Sequence, residues 1–113
     1  MKFKYNNKSF IPKSLSQNSE LDSTSVFLYQ QKGNVLFCEY SGGNVVRGHL
    51  IGIVDNTGHI DMRYHQVNKS GQIQTGICNS TPELNTNGKI ILHEQWQWTS
   101  GDKSRGTSTL IEI

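Results

Sequence analysis

From Ser25 to the last residue, apolar positions come in runs of roughly 6 to 10 residues that alternate with polar ones and are separated by Gly- and Asn-containing turns. A period of two is the mark of strands with one face buried. The runs predict strands over 25–31, 34–41, 44–54, 59–67, 72–80, 89–98 and 106–113. An eighth candidate lies around Phe3 to Tyr5. The Ser-, Asn- and Lys-rich stretch from Asn6 to Thr24, with one proline, reads as a loop wrapped over the surface.

The turns set the register. Asp55-Asn56-Thr57-Gly58, Asn68-Lys69-Ser70-Gly71 and Asn85-Thr86-Asn87-Gly88 each place Asx first and Gly fourth, the pattern of a type I turn closed by a left-handed glycine bulge. Ser41-Gly42-Gly43-Asn44 reads as a two-residue primed turn, and Lys32-Gly33 closes the first hairpin. Val54 should then face Ile60, Leu50 face Tyr64, His49 face His65, Val67 face Ile73, and Cys78 face Trp96. One sheet face collects Val26, Leu28, Val35, Phe37, Glu39, Val46, Leu50, Tyr64, Cys78, Glu94, Trp96 and Trp98. The other collects Phe27, Tyr29, Leu36, Cys38, Tyr40, Arg47, His49, Arg63, His65 and His93. The first has fewer formal charges, both tryptophans and three glycines that make room, so it is expected inside.

About eight sequential antiparallel strands with two mixed faces fit an all-β, up-and-down barrel of the lipocalin or calycin kind, formed as a single domain over 1–113. Composition agrees. The 113 residues include no alanine, and 34% are hydrophobic against 18% charged. Mean hydropathy is −0.54. A net charge of +2 is scattered without a basic cluster, so no nucleic-acid partner is expected. No apolar run approaches the roughly 20 residues of a membrane span or resembles a signal peptide, so no membrane partner is expected and the reading is cytoplasmic. Cys38 and Cys78 read as buried free thiols.

The candidate chemistry lies on both faces. Inside, Glu39, Tyr64, Glu94, Trp96 and Trp98 would line an apolar cavity with a few convergent polar groups, the composition of a small-ligand site. On the second face Arg47, His49 and Arg63 are rim or anion-binding candidates, and two or three of His49, His65 and His93 could lie close together, a cluster able to bind a divalent metal through imidazole nitrogens or, with Arg47 and Arg63, an anion. His65, His93 and Glu94 are the candidate proton-transfer groups. No dense ligand motif is present, and neither a metal nor a cofactor is expected. The loop Thr99 to Gly106 joins the tryptophan strand to the last one as a solvated hairpin loop or as a flap over the mouth.

The runs Tyr40-Ser41-Gly42-Gly43, Gly48-His49-Leu50-Ile51-Gly52, Met62-Arg63-Tyr64-His65-Gln66-Val67-Asn68, Thr75-Gly76-Ile77-Cys78-Asn79-Ser80-Thr81-Pro82-Glu83 and Leu92-His93-Glu94-Gln95-Trp96-Gln97-Trp98-Thr99-Ser100-Gly101-Asp102 resemble a family of small uncharacterised bacterial proteins. Some of its members carry the label N-acetylglutamate synthase. An acetyltransferase of that kind needs a helix opened by a Q/R-x-x-G-x-G/A turn to hold acetyl-CoA. The sequence has neither, so that activity is not expected. At fold level the pattern resembles lipocalin, fatty-acid-binding and avidin-like barrels, which implies a lumen for one small ligand.

Three functions follow as expectations. The first is a module binding a small, partly polar molecule in the lumen. The second is an enzyme using Glu/His acid-base chemistry. The third is a filled barrel serving oligomerisation, with monomer and homo-oligomer both open.

Overall fold

The computed structural model describes residues 3–113 and is a closed barrel of eight antiparallel strands in sequential order. They are β1 (Lys8–Leu15), β2 (Val26–Lys32), β3 (Val35–Gly42), β4 (Val45–Val54), β5 (Ile60–Asn68), β6 (Ile73–Leu84), β7 (Ile90–Trp98) and β8 (Arg105–Glu112). Closure comes from β1 pairing with β8, so neither end strand keeps an open edge.

The three Asx-to-Gly turns form as their sequence dictates. Gly58, Gly71 and Gly88 have φ of 88°, 78° and 76°. Their amides donate to the carbonyls of Asp55, Asn68 and Asn85 at 3.1, 2.9 and 3.0 Å. All five expected pairs are present, from Val54 opposite Ile60 to Cys78 opposite Trp96. From Gly48 onward strands β4 to β7 therefore point the expected side chains inward, whereas Val46, also expected inside, is exposed.

Strands β2 and β3 are turned the other way. Phe27, Tyr29, Leu36, Cys38 and Tyr40 are buried, while Val26, Leu28, Phe37 and Glu39 are exposed. The cause is a bulge in β4. Gly42 pairs with Val45, but Tyr40 pairs with Gly48, and on the other side Val45 pairs with Asn68 while Arg47 pairs with Val67. Val46 and Arg47 thus both face solvent. One extra residue exchanges the faces of every strand registered through it.

The first strand also differs from expectation. It is Lys8–Leu15, inside the stretch read as a loop, and Phe3 to Tyr5 forms no strand. Phe3 and Tyr5 instead close one end of the barrel. Tyr5 is wholly buried, and its hydroxyl donates to the Gly58 carbonyl at 2.6 Å. Above this plug Phe10, Leu36, Ile60, Ile90, Leu92 and Leu110 fill the lower barrel with almost no exposure. At the opposite end, residues 16–24 cross the mouth as a strap. The Asn44 amide donates to the Glu20 carbonyl at 2.8 Å, and the Asn18 side chain donates to Ser104 and to the Arg105 carbonyl, both at 3.0 Å.

Candidate functional site

Between the packed lower core and the strap lies a cavity of about 500 Å³ including its opening, of which about 60 Å³ admits the centre of a water molecule. Aromatic side chains dominate its wall: Phe27, Tyr29, Tyr40, Tyr64, Trp96 and Trp98, with Leu50 and Met62 beside them. Leu21 and Glu20 of the strap form its roof.

Glycines make that wall possible. Tyr40 lies opposite Gly48, Tyr64 opposite Gly76, and Trp96 opposite Gly106. A Cβ at Gly48 would lie 2.5 Å from Cζ of the Tyr40 ring. At Gly76 and Gly106 it would collide with the Tyr64 and Trp96 rings. Each ring lies across the neighbouring strand, which leaves the middle of the lumen open. Trp98 meets Tyr64 and Trp96 edge to face, at centroid separations of 5.6 and 5.5 Å.

The polar groups are few and mostly paired. Ser80, Glu94 and Ser108 occupy one rung of β6, β7 and β8. The Ser80 hydroxyl donates to Oε2 of Glu94 at 2.6 Å and the Ser108 hydroxyl to Oε1 at 3.2 Å. Burial raises the Glu94 carboxyl above its ordinary range, and these serine hydrogen bonds oppose the rise. The Tyr40 hydroxyl donates to Oε1 of Gln66 at 2.8 Å, and the Gln66 amide continues to Gln74 at 3.1 Å. Tyr29 differs: its hydroxyl is buried and has no hydrogen-bond partner. Desolvation first, and then the Glu94 charge, keep this phenol protonated and hence a donor. Burial pushes the Cys38 thiol up to about 12 and the Cys78 thiol well above its usual value, so neither cysteine is a thiolate nucleophile.

The raised Glu94 carboxyl has a consequence for stability. Its folded state holds a proton to higher pH than its unfolded state, so its contribution is fully present below the ordinary carboxyl range. That contribution is lost as pH rises through the folded-state value. Glu94→Gln removes this loss. In denaturant melts across the range above ordinary carboxyl titration, the stability of wild type relative to the variant should fall as pH rises. A flat difference would mean that the carboxyl is not desolvated.

Of the expected ligand contacts, the structure gathers Tyr64, Glu94, Trp96 and Trp98 around the lumen. Glu39 is a correction. It follows β3 to the outer wall, where it pairs with Arg47 at 2.7 Å and lies 3.6 Å from His49. The proton-transfer trio is also not assembled, because His65 and His93 point outward while Glu94 points inward. Residues next to each other in a strand alternate faces, so His93 cannot share a pocket with Glu94. His93 instead contacts Glu83 at 2.7 Å. The rim candidates Arg47, His49 and Arg63 are on the outer wall. Arg63 is paired with Asp61 at 2.7 Å, so both guanidiniums are matched by carboxylates rather than free for an anion. His49 and His65 are adjacent, but His93 does not join them, and among the described residues no group of three or more His, Cys, Asp or Glu could hold a metal ion. The Thr99–Gly106 loop is tied down through Ser100, which accepts from the Thr75 amide at 3.0 Å, and the roof of the cavity comes from the strap instead.

Sequence reasoning missed Tyr29 and Tyr40, which the bulge carries inside, and Gln66, Ser80 and Ser108. The serines were accessible in principle. Once Cys78 is placed opposite Trp96, Ser80 must fall opposite Glu94.

Compared with known protein families, residues 3–113 match the family described as avidin-like protein. Neither the curated proteins nor the solved structures yield a match.

Proposed function

The chain belongs to the avidin-like family, and from that premise we propose that it binds one small, uncharged, partly polar molecule in the barrel lumen. The observation that carries this reading is the buried Tyr29 hydroxyl without a partner in a cavity that also holds Glu94. Buried polar groups are paired in nearly all folded proteins, so an orphan donor on a residue that lines the cavity points to an acceptor supplied from outside. Glu94 supplies the opposite need. Its oxygens accept from Ser80 and Ser108 and keep lone pairs for a further N–H or O–H donor.

A carbonyl flanked by N–H groups, as in an amide, a lactam or a cyclic urea, meets both requirements. Its oxygen accepts from Tyr29 and its N–H donates toward Glu94. The apolar body then lies against Tyr64, Trp96 and Trp98. A carboxylate at the deep end would be desolvated beside Glu94, which excludes an anionic head group.

Because Trp96 and Trp98 both line the cavity, binding should change tryptophan emission. Titration with cyclic ureas and lactams, a biotin-like bicyclic urea among them, should give saturable quenching and a rise in melting temperature. A panel that leaves both emission and melting unchanged would remove this reading.

A further inference from the structure

The outer wall carries a second constellation, independent of the lumen. Glu39, His49 and His65 lie on one rung of β3, β4 and β5, with Glu39 opposite His49 and His49 opposite His65. The two imidazole centroids are 5.3 Å apart with planes at 48°, and Nε2 of His49 lies 3.6 Å from a Glu39 oxygen. All three side chains are exposed. The rung cannot slip, because β4 and β5 pair without interruption from Arg47 opposite Val67 to Val54 opposite Ile60.

We propose that His49 and His65 together chelate a late divalent transition-metal ion, Cu²⁺ or Ni²⁺ in preference to Zn²⁺. Directly opposed residues of antiparallel strands have Cβ atoms about 4.5–5.5 Å apart. Side-chain rotation then brings one nitrogen from each ring to the roughly 2.0–2.1 Å that a metal–imidazole bond requires. Neutral imidazole suits Cu²⁺ and Ni²⁺, and the general affinity order places Cu²⁺ first. A site on two registered strands loses less conformational freedom on closing around an ion than one on loops.

The neighbouring charges permit it. Arg47 is matched by Glu39 and Arg63 by Asp61, each at 2.7 Å, so the ion does not approach two uncompensated cations. Two imidazoles are the whole protein set, and the remaining positions go to water or to an added donor. Glu39 becomes a third ligand only by leaving Arg47. The other histidines lack a second ring: His93 contacts Glu83 at 2.7 Å and His59 lies 3.9 Å from Asp55.

The test is calorimetric titration of the full chain with Cu²⁺, with electron paramagnetic resonance of the complex. One ion per chain with two nitrogen donors is expected. Outer-shell partners of a metal site alone are worth about 10- to 100-fold in affinity. Loss of a ligand itself, in His49→Gln or His65→Gln, should therefore weaken binding at least about tenfold, while His93→Gln changes nothing. Both replaced rings are exposed, so folding should survive, and either variant alone decides the outcome. Wild-type affinity in these variants, or a spectrum with one nitrogen donor or none, would overturn the proposal. The outcome is separable from the lumen reading, which does not use these rings.

Discussion

Tyr29→Phe is expected to stabilise the unliganded protein by about 1–3 kcal/mol while weakening ligand binding, two effects of opposite sign from one atom. The Tyr29 ring packs against Tyr5, Phe10 and Phe27, and its hydroxyl is buried with no hydrogen-bond partner in the protein, so no protein group compensates its desolvation. Removing the oxygen relieves that cost and leaves the ring packing in place. In the complex the same oxygen would donate to the ligand, and loss of this net bond of about 0.5–1.5 kcal/mol adds to the ~1–3 kcal/mol gained by the unliganded protein, roughly a ten- to thousandfold loss of affinity. Chemical denaturation without ligand and a fluorescence titration measure the two effects separately. A variant less stable than wild type would show that the hydroxyl is already satisfied in the empty barrel.

The second large effect is expected at Gly76. Here a side chain would collide with the Tyr64 ring, which lies over this glycine and meets Trp98 edge to face. In Gly76→Val the ring must leave its place, and the lumen is open space beside it. Overpacking of this kind costs about 1–3 kcal/mol. The functional effect should be larger, because the displaced ring occupies the ligand's volume and saturable quenching disappears. Gly88→Ala is the control: nothing lies within 4 Å of the added Cβ, although its φ of 76° carries its own strain. That variant should lose some stability and keep binding. Unchanged ligand affinity in Gly76→Val would mean that the ligand does not lie against Tyr64.

These expectations depend on which residues face inward, and the sequence discloses this unevenly. Strands β4 to β7 are legible because the turns at Asp55–Gly58, Asn68–Gly71 and Asn85–Gly88 have local chemistry that fixes pairing without reference to the rest of the chain. Glu94, Trp96, Trp98 and Tyr64 are on those strands, so that part of the site is readable. Strands β2 and β3 are registered through β4, and the bulge at Val46–Arg47 has no glycine or turn residue to mark it. A Val-Val-Arg run looks continuous, yet the irregularity brings Tyr29 and Tyr40 inside and sends Glu39 out. Strand β1 is hidden for another reason. Its contribution to the deep core is Phe10, it contains Pro12 beside an irregularity in its pairing with β8, and barrel closure is a long-range contact with no turn to encode it.

The same alternation separates the acid from the histidines. Glu94 keeps its two serine donors inside, while His65 and His93 face solvent, so an acid–base pair cannot form across the wall. What remains inside is a lumen lined by a protonated phenol, a desolvated carboxyl and aromatic walls.

The most direct measurement is a high-resolution crystal structure of protein purified without refolding and soaked with a cyclic urea. The expected result is density for the soaked molecule beneath Leu21, with its carbonyl oxygen within hydrogen-bond distance of the Tyr29 hydroxyl and an N–H directed at Glu94. A lumen filled by its own side chains, with Tyr29 bonded to a protein group and the urea absent, would contradict the account.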